Sequence, residues 1–357
     1  MEIRLWANWP STCQRLTCAG IRLHRKDTHV ATPRKRQICL DQTLYYHCVS
    51  RCVRRAFLCG VDKVTGRSFE HRRQQIEARL HHLATIFAID VAAYAVMSNH
   101  YHVVLRVNPE EVATWEDAEI CERWRKLFKL PLTVQRFLDG ERMEPLELDA
   151  ARAQVGIYRE RMTSISWFMK CLNTDIARAA NREDDCTGRF FEGRFKCQAL
   201  LDEAALLKCM AYVDLNPVRA GVAPTAEAAT HTSLAHRIAT TTNVLLPFAV
   251  QSETAAQESS SQHPFGTECI PFPFDAYCEL VAWTAQHVHS KGTATPPPLL
   301  RAVDINPGAW QLTMQNGGLE RTRVLGALKR IREFASAIGQ AWMRGPQLRT
   351  PDGVLDY

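Results

Sequence analysis

Between Tyr45 and Asn216 the apolar positions change period several times, and each change marks an element. Tyr45-Tyr-His-Cys-Val-Ser-Arg-Cys-Val53 alternates and carries aromatic and β-branched side chains. That predicts a first strand with His47, Val49 and Arg51 on one face. From Phe69 to Phe87 the spacing shifts: Ile76, Leu80, Leu83 and Phe87 form the stripe of an amphipathic helix. Strand-like runs return at Ile89–Met97 and His100–Val107. Ser98-Asn99 lies between them, so the pair reads as a β-hairpin ended by Asn108-Pro109.

Residues 109–160 interrupt this pattern with helical pieces at 118–128 and 132–138. A longer helix is expected from Tyr158 to Asn181, where Ile165, Phe168, Met169, Leu172 and Ile176 align. The glycines, aromatics and basic residues of Thr187–Leu201 predict a strand, a tight turn and another strand. Asp202 is a good N-cap for a helix from Glu203 to about Leu215. That helix should stop at Asn216-Pro217, because a residue before proline avoids the α region. A short helix is expected within 225–240, then helices at Asp275–Val288 and Gly318–Met343 on either side of Pro296-Pro-Pro298.

The order strand, helix, strand, strand, insertion, helix, strands, helix describes an α+β domain with a mostly antiparallel sheet and helices packed on it. The expected organisation has four parts. Residues 1–36 are a loose basic extension, or in part the product of a start codon upstream of Val30. Residues 37–245 are the main domain, with the insertion at 109–160. Residues 246–263 read as a linker and 264–357 as a helical C-terminal region.

Composition adds bounds. Hydrophobic content of 46% and charged content of 23% belong to a globular chain. No apolar run reaches the roughly 18–20 residues a bilayer requires. Met1–Lys26 lacks the apolar centre of a signal peptide, so the expected location is cytoplasmic, away from membranes. The 13 cysteines include no Cys-x-x-Cys pair and read as free, mostly buried thiols. A formal net charge of +6 is compatible with nucleic acid.

His100 and His102 share one strand face in an otherwise apolar run, and two imidazoles so placed form a chelating pair. Met97-Ser-Asn-His-Tyr-His-Val-Val-Leu105 resembles the His-hydrophobic-His motif of the HUH nucleases. Tyr45 through Ala223, about half the chain, resembles the single-tyrosine transposases of that superfamily, in particular the REP-associated tyrosine transposases. Tyr46-His-Cys-Val-Ser-Arg51 is similar to the first strand of that family, and Gly193-Arg-Phe-Lys196 to its basic strand. Ala211-Tyr-Val-Asp-Leu-Asn-Pro-Val-Arg-Ala-Gly221 is similar to its tyrosine-bearing signature.

The resemblance implies a ferredoxin-like or RRM-like α+β sandwich. It also implies metal-dependent cleavage of single-stranded DNA through a 5′-phosphotyrosine. By the same resemblance Tyr212 is the nucleophile, and His100, His102 and Asn216 hold Mg²⁺ or Mn²⁺. The implied partner is single-stranded or hairpin DNA, bound by a monomer or homodimer. Arg51, Arg54, Arg55, Arg189, Arg194, Lys196 and Arg219 are the candidate phosphate contacts. Phe190, Phe191 and Phe195 are candidates for stacking on bases.

Helical spacing agrees with part of this, since positions i and i+4 place Tyr212 and Asn216 on one face. Periodicity alone leaves Tyr212 open between a core aromatic and a nucleophile, with Tyr158 the other tyrosine to test. Asn216 is equally a common helix stop. Two further functions stay open: a domesticated DNA-binding protein of the same fold that does not cleave, and a phosphoesterase that uses water.

Overall fold

The computed structural model describes residues 33–53, 58–62, 65–240, 244–250, 268–287, 295–317, 319–345, 348–350 and 353–355. Arg54, Arg55, most of the N-terminal extension and the linker from 251 to 263 lie outside the described residues.

The first strand, β1 (Tyr45–Arg51), leads through α1 (His71–Ala84) to the hairpin β2 (Ile89–Val96) and β3 (His100–Val107). Four helices follow: α2 (Pro109–Thr114), α3 (Asp117–Arg125), α4 (Leu132–Leu138) and α5 (Pro145–Met162). They enclose an apolar core of their own around Trp124, Val134, Val155 and Tyr158. Then come α6 (Ile165–Glu183), β4 (Lys196–Leu200), α7 (Glu203–Asp214), α8 (Asn216–Arg219) and α9 (Ser233–Ala239). The C-terminal part contributes α10 (Phe274–His287), α11 (Pro298–Ala302), α12 (Pro307–Asn316), β5 (Val324–Leu325) and α13 (Leu328–Ala337).

The sheet order is β2-β3-β1-β4-β5, antiparallel except for the parallel pair β4–β5. Its first four strands carry the β-α-β-β-α-β ferredoxin-like arrangement, with α1 and α6 as the two crossovers. The fold is therefore α+β, as the periodicity predicts. Strand alternation sends Tyr46, Cys48, Tyr94, Tyr101 and Val103 into one core with α1 and α6. Tyr45, Ala93, Ala95, Val104 and Leu200 face a second core under α7. The register shift between Val91 and Ala93 turns Ala92 to that same side, giving α7 a floor of small side chains.

Several expected boundaries move. The single helix over 158–181 is two helices, because Ser164 leaves the α region and accepts a hydrogen bond from the Trp167 N–H as the N-cap of α6. Asn108-Pro109 ends β3 but also starts α2, with Pro109 in the first turn where no N–H is missed. Of the two strands expected in 187–201 one forms; Phe191 makes only an isolated bridge to Cys52. The helix expected over 318–343 is interrupted by β5 and by Gly326, whose φ of +151° strains any other residue. A Cβ at Gly326 would also lie 2.8 Å from Leu201 Cβ.

The C-terminal region does not stand apart from the sheet. β5 pairs with β4, and Tyr277 of α10 donates its hydroxyl to the buried carboxylate of Asp214 on α7 (2.6 Å). At the start of the expected linker, Leu246 packs in the α7 core, and its N–H donates to Val91 O (2.9 Å). Among the described residues no helix is long and apolar enough to cross a membrane.

Candidate active site

β3 and α7 meet where the imidazole of His102 faces the C-terminal end of α7. α7 does not simply stop at Asn216. Leu215 keeps α-region dihedrals (φ −83°, ψ −3°), and Asn216 opens α8 with Pro217 in its first turn. The chain thus turns without unwinding between Tyr212 and Asn216. The proline costs no hydrogen bond in the first turn of a new helix, which is why the residue before it can still reach the sheet.

The two halves meet at defined distances. Asn216 Nδ2 lies 3.2 Å from His102 Nε2. The Tyr212 ring stands edge-on to that of His102, centroids 6.0 Å apart. His100 and His102 rings are 4.8 Å apart, and His100 Nδ1 engages Asn99 Oδ1 at 2.5 Å. The Arg219 guanidinium lies over the Tyr212 ring, 4.4 Å from its centroid. His102, Tyr212 and Asn216 are buried, Tyr212 with 4% of its surface exposed. Burial, then the neighbouring His47, His100, Arg51 and Arg219, hold His102 well below the ordinary imidazole range, so the ring is neutral. Cationic surroundings and a neutral imidazole are the electrostatics of an anion-receiving site.

The expected DNA contacts divide between two places. Arg51 and Arg219 act on His102 directly through their charge. Arg189 and Arg194 lie elsewhere, lining an open hollow of about 530 Å³ with Asn173, Arg178, Asn181 and Gly193. Lys196 is exposed at the start of β4. Phe190 and Phe191 also line that hollow, but both are largely buried in the α1–α6 core, their rings 5.1 Å apart, and offer little face for a base to stack on. Phe195 is half-buried under the guanidinium of Arg34 (3.8 Å). Tyr158 is buried in the core of the inserted helices, stacked on Trp124 at 4.8 Å, and is remote from the histidines in the fold.

Three features escaped the sequence reading. His47, seen only as a strand residue, meets His102 edge to edge, the rings within 12° of parallel and its Nε2 2.9 Å from His102 Nδ1. Gln198 of β4 holds the other side of His47, Oε1 to Nδ1 at 3.1 Å. Both sit on the His102 face by strand alternation, so the signal was present once the pairing of β1 with β3 and β4 was known. The third is the C-terminal segment. Gln198 Nε2 donates to Leu319 O (2.7 Å) and Thr322 O (2.9 Å), more than a hundred residues further along the chain. Gly317 leaves room for Arg219: a Cβ there would collide with the guanidinium, and its φ is +62°.

Among the described residues no group of three or more His, Cys, Asp and Glu side chains is arranged to hold a metal ion. The set at this site is two imidazoles and a carboxamide.

No protein-family model matches the sequence, and no curated protein does. Among solved structures the chain is similar to that of a REP-associated tyrosine transposase bound to a REP hairpin. The similarity covers 61% of this chain and 93% of that one, at 11% identity and a TM-score of 0.34. A likeness that loose transfers no residue roles.

Proposed function

We propose that this chain cleaves and rejoins single-stranded DNA, with Tyr212 as nucleophile and hairpin-forming DNA as substrate. The observation that supports the reading is convergence. Tyr212, Asn216 and Arg219, adjacent on α7–α8, stand against His100 and His102, which come from a strand more than a hundred residues earlier.

The donor set fits a divalent cation. His102 uses Nδ1 toward His47 and His100 uses Nδ1 toward Asn99 Oδ1, so Nε2 would be the nitrogen each ring offers to a cation. Asn216 Nδ2 lies 3.2 Å from His102 Nε2, so with the amide turned over its carboxamide oxygen would be the third donor. Mg²⁺ or Mn²⁺ held there would supply charge neutralisation at the scissile phosphate.

The remaining work belongs to side chains. The Tyr212 hydroxyl attacks phosphorus; the bond from its oxygen to phosphorus forms as the bond from phosphorus to the 3′ oxygen breaks. The phenolic proton is lost, and the departing 3′ oxygen takes one up. The products are a 5′-phosphotyrosine and a free 3′-hydroxyl. Because the phosphodiester is exchanged and not hydrolysed, the reverse attack by a 3′-hydroxyl rejoins strands without ATP. Arg219 over the ring and Arg51 beside the histidines favour the anionic forms of phenol and phosphate. Arg189 and Arg194, away from the centre, bind the strand that leads into it.

The burial of Tyr212 favours one rival, a DNA-binding protein of the same fold that does not cleave. One experiment separates the two. A labelled hairpin oligonucleotide is incubated with the protein and Mn²⁺, then resolved on a denaturing gel. A protein-linked band that is lost with chelator and in Tyr212→Phe is the expected result. Binding without any such band across a panel of hairpins supports the rival, and a band that survives Tyr212→Phe moves the nucleophile elsewhere.

A further inference from the structure

We propose that His47 and Gln198 are positioning residues that fix which nitrogen of His102 carries its proton, and that the C-terminal segment at Leu319–Thr322 anchors them. The inference rests on the reading of His102 as a ligand-bearing residue of the proposed site.

The direction of the relay follows from donor and acceptor chemistry. Three oxygen atoms surround Gln198 Nε2: Leu319 O at 2.7 Å, Thr322 O at 2.9 Å and Thr322 Oγ1 at 2.8 Å. The two carbonyls can only accept, so the amide must point its NH₂ at them; the flipped rotamer would set oxygen against oxygen. Gln198 Oε1 is therefore the end that meets His47 Nδ1, at 3.1 Å, and it can only accept. His47 Nδ1 must carry the hydrogen. In a neutral imidazole the other nitrogen then has the lone pair. His47 Nε2 lies 2.9 Å from His102 Nδ1, which must donate to it. His102 Nε2 keeps its lone pair and turns it toward Asn216, whose amide nitrogen lies 3.2 Å away.

The chain of four groups is buried: His47 and His102 are each 1% exposed, Gln198 3% and Asn216 9%. Water cannot readily compete with these bonds or reverse the order. An imidazolium at His102 would face the rings of His47 and His100 and the charges of Arg51 and Arg219, which disfavours its doubly protonated form. The two rings lie within 12° of parallel and are bonded edge to edge, so β1 fixes the plane of His102 as well as its proton. A ring that must present Nε2 to a cation needs this tautomer, and a neighbour that accepts from Nδ1 is the usual means of holding it. The same C-terminal segment also leaves the space at Gly317 in which Arg219 reaches over Tyr212. The C-terminal region thus touches both halves of the site.

The test reads protons, not activity alone. Long-range ¹H–¹⁵N spectra of the full chain, without added metal, assign the ring nitrogens of His47 and His102 by comparison with His47→Gln and His102→Asn. Nδ1–H with a pyridine-like Nε2 in both rings is the expected result. An Nε2–H tautomer at His102 overturns the proposal. In Gln198→Leu the His102 signals should split between tautomers, and Mn²⁺ affinity, followed by the EPR signal of free Mn²⁺, should weaken by about 10–100-fold. Unchanged tautomers and unchanged affinity in that variant also overturn it. Should Gln198→Leu fail to fold, the wild-type spectrum still decides. The two readings fail separately: the expected tautomers with no DNA adduct count against strand transfer, whereas an adduct with His102 in the opposite tautomer counts against the relay.

Discussion

The carboxamide of Asn216 lies 3.2 Å from Nε2 of His102, a residue 114 positions earlier in the chain. A side chain that merely ended a helix would have no reason to be buried against a strand histidine. Asn216→Ala is expected to lower Mn²⁺ affinity and adduct formation together, by at least about tenfold. Titration of Mn²⁺ by EPR beside the hairpin gel checks this. Loss of the adduct at full Mn²⁺ affinity would remove Asn216 from the ligand set.

Arg219 sits over the ring of Tyr212, in space that Gly317 leaves open. A cation so placed contributes on the order of 1–2 kcal/mol to an electron-rich ring, or about tenfold in rate. Arg219→Gln should slow adduct formation by that factor, and Gly317→Ala should reproduce the defect by displacing the guanidinium. If Gly317→Ala is as active as the parent, the guanidinium has other room and the contact does not matter.

Arg178, Arg189 and Arg194 line a hollow on the opposite side of the sheet from α7. Replacing all three by Gln should weaken single-stranded DNA binding and lower the slope of log affinity against log salt by about 2, or 0.7 per phosphate contact. Fluorescence anisotropy over a salt series measures both. An unchanged slope would mean that the strand runs elsewhere.

Asp214 is a buried hub, accepting from Ser233 Oγ (2.6 Å), Leu234 N (3.0 Å) and Tyr277 Oη (2.6 Å). Asp214→Ala leaves three buried donors without their acceptor and should cost about 3–5 kcal/mol in urea unfolding. Tyr277→Phe should cost only about 1–2 kcal/mol. Equal costs would mean that Tyr277 alone carries the link between α7 and α10.

Lys208 lies one turn before Tyr212 on α7. Burial lowers its pKa from 10.5 to about 8, with Asp202 acting in the opposite sense. Between those two values the unfolded chain binds a proton that the folded chain does not, so folding stability rises with pH across that window. Below about 8 both states hold the proton, and the full penalty, on the order of 3 kcal/mol, is present. Urea midpoints from pH 8 to 10.5 should therefore climb more steeply in the parent than in Lys208→Met. Parallel curves would show that the ammonium is solvated.

The hairpin was legible because two strand runs around Ser98-Asn99 state their own register, and the boundaries of β2 and β3 fall where alternation places them. The position of α7 was legible from Asp202, whose carboxylate accepts from Ala205 N at 2.8 Å. The break in the helix at Ser164 was harder to see, because the apolar stripe continues across it while one capping hydroxyl ends it. Phe190 and Phe191 looked available for bases because a segment rich in arginine and glycine reads as surface. Their burial depends on the core they share with α1 and α6, which no local pattern states.

By itself the sequence determined the central strands, the helix after Asp202 and the pairs that share a face: His100 with His102 along a strand, Tyr212 with Asn216 at helical spacing. Those relations are set by periods of two and 3.6 within one element, and local backbone geometry enforces them. Only the tertiary structure decided that the strand pair and the helix pair meet. It also decided that His47 and Gln198 join them from two further strands and that Gly317, Leu319 and Thr322 brace the assembly. These contacts arise from the sheet order and from one helix lying on a floor of alanines, which long-range packing selects and no window of the chain encodes.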